Sequence, residues 1–398
     1  MTNLIKTQHQ KNPNPSRTVR FEGHGLLPFR LVLSLLSHRP VRIDNIRSDS
    51  QEPGLNDEEV SFLRLLEKLT NGTTVEISYT GTSLLFVPGT LTGGHITHQT
   101  PLSSSIGYFL TPILAIAPFC KHDLTLILKG ITTSSDTLSV DLLRVSGLPT
   151  LGIWLGEDAG KLELKISKRG HAPLGGGECC FKCPSVKAIK AGIDFTDSGR
   201  VSKIRGIAHS VRVSPQLANR LVSESRAILN RYIPDVFIYT DVYKGADSGK
   251  SPGYALSLLS SSTTTALHTA EASSYPNSTP EDVAVLACRR LLNQISRGGC
   301  IDQNFEWLAV LMLLLSNQTD VGKIKIGGPI SEALVLWIRD LKQVFGVQYK
   351  IKAIRPMTML QLDQDDPTTL DDGEVLNHDQ YLISAVGLGW INTAKSAK

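Results

Sequence analysis

Three stretches of the chain share one pattern of apolar and polar positions. Each begins with about ten apolar residues, long enough for a buried helix, and continues through a short polar break into a strand-like segment. The three copies are Pro28–Ile46, Gly107–Ile131 and Phe305–Ile330. Repetition of helix, break and strand predicts an α/β fold built from a repeated unit, and the irregular spacing of the copies argues against a solenoid.

Further amphipathic segments fit the same unit. Asp57–Leu69 and Ser331–Phe345 have apolar residues at helical spacing, and the first has acids in its first turn, where they favour the helix dipole. Alternating segments predict strands at Thr74–Tyr79, Leu162–Ile166 and Gln348–Ile354.

The repeated pattern is interrupted between residues 187 and 272. This segment alternates between strand-like and helical patterns of its own, and Ser273–Pro280 has the composition of a linker. We therefore predict four regions: a disordered N-terminal extension at 1–16, a large repeat domain at 17–186 and 273–360, an inserted small α/β domain at 187–272, and an acidic C-terminal tail at 361–398.

The charge of the chain is unevenly distributed. It has 41 Lys and Arg and 37 Asp and Glu, for a net charge of +4. Without residues 356–398, which hold two lysines and seven acids, 39 basic and 30 acidic residues remain. A basic body of this kind is compatible with a polyanionic partner, and equally with a solvated surface of mixed charge.

Composition also limits the class of protein. A hydrophobic content of 41% excludes wholesale disorder. The longest apolar run, Leu308–Leu315, is too short to span a bilayer, so we expect a soluble intracellular chain without a membrane partner. Cys180 and Cys183 form an isolated pair without two further ligands at suitable spacing, so no metal site and no cofactor are predicted.

Two glycine-rich stretches are candidate phosphate sites. Gly249-Lys250-Ser251 lacks the earlier glycine of a phosphate loop and leads into a strand, so we interpret it as a basic hairpin loop. Gly175, Gly176 and Gly177 could let a backbone approach an anion, or could form a tight turn. Ten basic and four acidic residues between 161 and 205 favour an anion surface there.

A charged cluster on the predicted helix Ser331–Phe345 is the candidate for catalysis. Arg339 and Lys342 share a face, with Asp340 beside them, as a phosphodiester-cleaving site would require. The alternative is an ordinary solvated helix face. In either case we expect the three side chains to face solvent, and the apolar set to face the sheet: Ala333, Leu334, Leu336, Trp337, Leu341, Val344 and Phe345.

Taken together, several motifs resemble the RNA 3′-terminal phosphate cyclase family over about residues 17–354. They are Phe21–Leu36, Pro40–Leu55, Gly170–Glu178, Gly206–Ser214 and Gly298–Leu315. The resemblance implies a large domain of three units, each a four-stranded sheet with two helices, and one inserted α/β domain. It also implies that Arg30, Arg42 and Arg47, with Gly175–Gly177, border one concavity that binds RNA or another anion.

The sequence departs from the family pattern at the catalytic positions. Gln303 stands where cyclases have the histidine that accepts AMP, and an amide cannot form that phosphoramidate. The loop Gly23–Pro28 lacks the acid, the three glycines and the glutamine of cyclases, and Ser48–Glu52 replaces their basic residues. These losses together are similar to the eukaryotic cyclase-like branch of the family.

The resemblance to that branch implies a function in ribosome assembly. We expect a nucleolar, non-cyclase factor of the small-subunit processome that is needed for early pre-rRNA cleavages. It would be a monomer before assembly and would bind a ribosome-assembly GTPase and pre-rRNA. One alternative is a pre-rRNA endonuclease with Arg339, Asp340 and Lys342 at its site, and a weaker one is a residual nucleotide-dependent RNA-end cyclase.

Overall fold

The computed structural model describes residues 18–190, 192–245, 248–354 and 379–395. The predicted N-terminal extension, 1–16, and residues 361–378 and 396–398 of the predicted tail lie outside these ranges.

The first repeated unit has a four-stranded sheet in the order β1-β2-β5-β4. Its first two strands are parallel, because helix α1 crosses between them, and the others pair antiparallel. The elements are β1 (Val19–Glu22), α1 (Leu27–Ser37), β2 (Val41–Asp44), α2 (Asp57–Leu69), β3 (Thr70–Asn71), β4 (Thr74–Ile77), β5 (Leu84–Val87) and β6 (Thr90–Leu91).

The second unit repeats this order as β7-β8-β10-β9. Its second helix is compound, since α4 and α5 are joined by the π-helical turn Leu143–Gly147. The elements are β7 (Gly94–Gln99), α3 (Ile106–Ile116), β8 (Leu124–Gly130), α4 (Val140–Leu142), α5 (Leu148–Leu155), β9 (Glu163–Lys168) and β10 (Gly177–Cys183).

The third unit is divided by the insertion. Its sheet has the order β11-β16-β18-β17, and its first strand, β11 (Asp194–Phe195), comes before the inserted elements. Those elements are β12 (Val201–Val211), α6 (Pro215–Leu229), β13 (Val236–Tyr243), β14 (Gly253–Ser262), β15 (Leu267–Ser273) and α7 (Pro280–Arg297). The unit then continues with α8 (Glu306–Leu315), β16 (Val321–Ile326), α9 (Glu332–Phe345), β17 (Lys350–Ile354) and β18 (Gln380–Val386).

The end of the chain corrects one boundary of the sequence analysis. β18 lies between β16 and β17 and pairs antiparallel with both, so residues 380–386 belong to the third sheet and not to a tail. Ile383 is fully buried there, and the Trp390 indole donates to the Leu36 carbonyl at 2.9 Å. The acids at 363–374 dominate the composition of this region and concealed the short apolar strand that follows them.

One continuous hydrophobic core joins the three units, and the inserted segment has a second core. The first runs from Val19 to Ala385 and takes in buried residues of all three repeats. The second lies between the sheet β13-β12-β14-β15 and two helices, α6 and α7.

Helix α7 corrects a second boundary. Val283, Ala287 and Leu291 of α7 are fully buried in the second core, although the sequence analysis assigned this helix to the large domain. Ser273–Pro280 therefore connects two elements of the inserted segment and is not a return linker. We propose that the inserted domain extends from about residue 199 to 298 instead of 187–272.

The predicted fold class is confirmed. The chain forms three four-stranded sheets of identical strand order, each with two helical segments, and one smaller α/β unit inserted within the third repeat. The predicted hairpin at Gly249–Ser251 is wrong, because β13 and β14 do not pair with each other but lie on opposite sides of β12. In the described parts of the chain, no helix is both long and apolar enough to cross a membrane.

Candidate functional site

The loop between β1 and α1 forms one wall of a cleft. Leu26 takes a left-handed conformation with φ 56° and caps α1, which directs the chain sharply into the helix at Leu27 and Pro28. Leu26 and Phe29 line two adjoining pockets of about 380 and 240 Å³. The part of this wall from Leu26 to Phe29 is apolar, and His24 and Gly25 complete its lining of the larger pocket.

Gln303 lies at the edge of the smaller pocket, in a short 3-10 turn, Gln303–Phe305, that precedes α8. Its side-chain carbonyl accepts a hydrogen bond from the Gln294 amide at 2.7 Å. The turn is anchored by buried Asp302, whose carboxylate accepts from the Asn304 amide at 2.8 Å and from the Thr269 amide at 2.6 Å. Burial raises the pKa of Asp302 to about 6. Position 303 is thus fixed by a bond between two side-chain amides to α7, and its neighbour Asp302 ties the turn to the inserted sheet.

A third pocket, of about 580 Å³, lies between the second unit and the inserted unit. Hydroxyl groups of the segment 134–137 form one side, and β15 and α7 form the other. Glu271 accepts from the Ser139 amide at 3.0 Å, and burial raises its pKa to about 7. Arg290 is the one basic residue among the described residues that line this pocket, so the lining lacks the cluster of cations that a polyphosphate requires.

Arg30 is committed to an ion pair within the protein. Its Nε donates to the Asp340 carboxylate at 2.9 Å, and its Nη1 donates to the Glu22 and Gly23 carbonyls at 3.0 and 3.1 Å. Both side chains are about nine-tenths buried. Burial raises the pKa of Asp340, and the Arg30 guanidinium acts in the opposite direction.

This pair contradicts the predicted orientation of Asp340. Asp340 faces α1, while Arg339 and Lys342 are exposed, so the three side chains do not share one surface. Ala333 and Leu336 of the predicted apolar face are exposed too, and the buried face of α9 consists of Leu334, Trp337, Asp340, Leu341 and Val344. Spacing on a helix predicts which residues are neighbours but not which face a distant element covers.

The other two candidate arginines are also paired. Arg47 donates to both oxygens of Glu59 at 2.8 Å and to the Gly54 carbonyl at 3.0 Å. Arg42 donates to Asp44 at 3.0 Å on the exposed face of β2. Of the three arginines, Arg47 lines one of the pockets described above, and Arg30 and Arg42 line none of these three.

The turn at Gly175–Gly177 packs against another part of the chain. Gly175 and Gly176 have φ values of 60° and 84°, which favour glycine. The Gly175 carbonyl accepts from the Lys250 amide at 2.8 Å, and a Cβ on Gly176 would lie 3.2 Å from the same nitrogen. The loop that holds Lys250 therefore covers these glycines, which gives them a structural role, and the anion site proposed there remains a prediction.

Sequence reasoning missed a buried cluster of charges between the large and inserted units. Arg169 is 1% exposed and donates to Asp141 and to Asp241, both at 3.0 Å or less. His171 and His209 contact each other through their Nε2 atoms at 3.0 Å, and burial lowers the pKa of both. Arg169 and His171 follow β9, whereas Asp141, His209 and Asp241 lie on three other elements, so no local spacing could have revealed the cluster.

Comparison with known proteins identifies the family. A sequence model described as RNA 3'-terminal phosphate cyclase matches residues 19–351. The chain belongs to the RNA 3′-terminal phosphate cyclase family. It is 43% identical over 389 residues to an RNA 3'-terminal phosphate cyclase-like protein of Homo sapiens, covering 96% of this chain and 99% of that protein.

Two fungal members of the family carry a different description. The chain is 46% identical over 338 residues to an rRNA processing protein of Schizosaccharomyces pombe, covering 84% of this chain and 92% of the relative. It is 34% identical over 379 residues to an rRNA processing protein of Saccharomyces cerevisiae, covering 94% and 96%. The resemblance stated from the motifs, including that to the cyclase-like branch, is thereby confirmed.

The sequence analysis predicts that Gln303, whose side chain ends in an amide, occupies the position of the cyclase nucleophile. Gln303 Oε1 accepts from Gln294, and an amide nitrogen is not basic enough to attack a phosphate. The two pockets beside Gln303 have room for a ligand, and on this prediction the site lacks the histidine nucleophile of cyclases.

Proposed function

We propose that this protein is a non-cyclase factor of rRNA processing that acts by binding within an assembling ribosomal subunit. The observation that carries the proposal is Gln303, held by Gln294 where family members with cyclase activity need a nucleophile. The descriptions of the two fungal relatives as rRNA processing proteins support the process. The apolar β1–α1 loop and the paired state of Arg30 and Arg47 support the loss of nucleotide chemistry.

The more detailed parts of the proposal concern the cellular location and the binding partners of the protein. We place the protein in the nucleolus, in the small-subunit processome, where it binds pre-rRNA and a ribosome-assembly GTPase. The length of the match, 96% of this chain and 99% of the human relative, supports a common architecture for such binding. Affinity purification of the tagged chain from nucleolar extract tests this, and recovery without a GTPase or pre-rRNA would refute the partner assignment.

Enzymatic activity is tested with radiolabelled ATP and RNA ending in a 3′-phosphate. We expect neither a covalent AMP adduct nor a cyclic phosphate product. The variant Gln303→His restores the histidine but not the glycine-rich loop that cyclases have in place of Gly23–Pro28, so we expect it to remain inactive. Gln294→Ala is the matched control, because it removes the hydrogen-bond partner of Gln303 without adding a nucleophile. An adduct on the wild-type chain would overturn the proposal.

The endonuclease alternative has less support. Asp340 is engaged by Arg30 and lies on a different side of α9 from Arg339 and Lys342, so it is poorly placed to act with them on one phosphodiester. An Arg339→Ala, Lys342→Ala double variant in a strain depleted of the endogenous protein separates the two ideas. Normal processing by this variant would exclude a cleavage site at these residues.

A further inference from the structure

The smallest of the three cleft pockets combines aromatic walls with an unpaired acid. Phe29, Trp307 and Trp337 line it, and their rings meet pairwise at 70–79° with centroids 4.7 to 6.1 Å apart. The pocket holds about 240 Å³, which is enough for one long side chain and too little for a folded element. It adjoins the 380 Å³ pocket through shared residues, among them Leu26 and Leu138, so the two form one groove.

Glu306 is the acid at the base of this pocket. It is 2% exposed, and its Oε2 has no hydrogen-bond partner among the described residues. A buried carboxylate without a partner is costly, so the arrangement favours a ligand that brings a donor or a positive charge to this atom. Glu306 is also the one charged residue in the otherwise apolar helix α8, which has the sequence EWLAVLMLLL.

The charges along the groove select against a nucleic acid. No Lys, Arg or His is among the described residues that line the smaller pocket. The adjoining pocket is lined by His24, Arg47, Glu58 and Glu59 among its charged or titratable residues. Arg47 is neutralised by both oxygens of Glu59, which leaves the negative charge of Glu58. A groove with an excess of acids repels phosphate and attracts a cationic chain.

We propose that this groove binds a basic segment of a partner polypeptide, with one lysine or arginine side chain inserted into the smaller pocket. The aliphatic part of that side chain packs against Phe29 and Trp307, whose faces favour a cation, and its charged end donates to Glu306 Oε2. This inference rests on the proposed function in one respect: the partner polypeptide would be a component of the assembling ribosomal subunit. The ligand of this groove is therefore a cation, whereas the ligand of a cyclase is an anion.

Binding of a cation at Glu306 is coupled to a proton. Burial raises the pKa of Glu306 to about 8, the nearby Arg297 opposes this shift, and Asp302 adds to it. A pKa of about 8 keeps the Glu306 carboxyl protonated at neutral pH, so the carboxyl must lose its proton to pair with a cation. From a pKa of about 8, affinity should rise about 20-fold between pH 6.5 and 8.5.

The test uses the whole protein and small cations as probes. n-Butylammonium and n-butylguanidinium are titrated, with n-butanol as the uncharged analogue, while the indole N–H signals are followed by NMR. Trp307 and Trp337 line the pocket, and Trp154 and Trp390 do not, so they serve as internal references. We expect saturable shifts of the first pair alone, with at least tenfold weaker binding of n-butanol. Peptides with a central Lys, Arg or Gln then extend the comparison.

The matched variants are Glu306→Gln and Glu332→Gln, because Glu332 is an exposed acid of α9 that does not line the pocket. Glu306→Gln should weaken cation binding at least tenfold at pH 8.5 and remove its pH dependence, with n-butanol binding unchanged. Glu332→Gln should behave as wild type. The inference is overturned by absent shifts, by full cation affinity in Glu306→Gln, or by single-stranded RNA shifting the two indoles in place of the cations.

The proposed function is judged by a separate measurement. If the wild-type chain supports rRNA processing in a depleted strain but its pocket binds no cation, the inference fails alone. If the pocket binds cations as described but the chain supports no processing, the proposed function fails alone.

Discussion

Arg30 and Asp340 form an ion pair between α1 and α9, although 310 positions separate them in the chain. The bond lies at the boundary between the first and third units, and each side chain is about nine-tenths buried. Removing one member leaves the other charge buried without its partner, which is more damaging than removing both.

We expect Arg30→Met to lower the free energy of unfolding by about 3 kcal/mol or more, because Asp340 is left uncompensated. The double variant Arg30→Met, Asp340→Leu should recover most of this loss. Urea unfolding followed by circular dichroism measures both. The matched control is Arg339→Met, because Arg339 precedes Asp340 on α9 and its side chain is exposed. This variant should lower the free energy of unfolding by less than about 1 kcal/mol. Equal losses at Arg30 and Arg339 would show that the pair is not buried.

Glu306 should make the protein less stable as the pH rises. Its pKa is about 8 in the folded chain against an ordinary value of 4.5, so the folded state binds the extra proton between these values. The contribution of this bound proton to the free energy of unfolding is fully present below about pH 4.5 and is lost as the pH rises toward 8. We expect Glu306→Gln to stabilise the protein by on the order of 4 kcal/mol at pH 8 and by less than about 1 kcal/mol at pH 5.

The measurement is the free energy of unfolding of both proteins at several pH values. Glu332→Gln serves as the control, since its carboxyl is exposed, and should change stability by less than about 0.5 kcal/mol at every pH. A Glu306→Gln gain that does not grow with pH would mean that the carboxyl is ionised, and therefore paired, at neutral pH.

Among the elements, β18 is an inner strand of the third sheet and bonds to β16 on one side and to β17 on the other. Ile383 of β18 is fully buried, and its registered neighbour Ile351 on β17 is 43% exposed. We expect Ile383→Ala to cost about 2–5 kcal/mol, the range for a buried large-to-small change. Ile351→Ala should cost less than about 1 kcal/mol. Thermal unfolding compares the two, and equal effects would contradict the position of β18 inside the sheet.

The pattern of apolar and polar residues correctly predicted those elements whose own sequence defines which face is buried. α2 occupies Asp57–Leu69 as predicted, because its apolar spacing and the capping box of Asn56 and Glu59 define both its face and its start. The apolar face of α7 packs into the second core, but an amphipathic pattern alone cannot say which of two cores receives such a face. The partner of a face depends on topology, which no window of the sequence contains.

The same limit applies to the candidate site. Gln303 was located through the family motifs, and its departure from them is meaningful without coordinates. The pairing of Arg47 with Glu59, the cover that Lys250 provides over Gly175, and the unpaired Oε2 of Glu306 all depend on contacts between distant elements. Residue type alone suggested a basic surface, whereas the arrangement shows arginines already matched by acids.

On the scale of the whole molecule, the insertion divides the third unit without disturbing its sheet. β11 pairs parallel with β16, which follows about 130 residues later, so the third unit is completed only after the inserted elements have been made. The second core contains no residue before Ile204 or after Leu291 in its buried set. A segment with its own sheet, two helices and a separate core has the features of an independently folding domain.

We therefore expect a fragment of residues 199–298 to fold alone, and one of residues 187–272 to remain unfolded. The shorter fragment lacks α7, so the face of β14 and β15 that Val283, Ala287 and Leu291 cover would be open to water. Near-ultraviolet circular dichroism and cooperative urea unfolding distinguish the two outcomes. Leu291→Asp in the longer fragment is the control: it keeps the length but places a charge in the core, and should abolish the transition. A cooperative transition in the shorter fragment would instead show that α7 belongs energetically to the large domain, because the inserted sheet would then be stable with α6 alone.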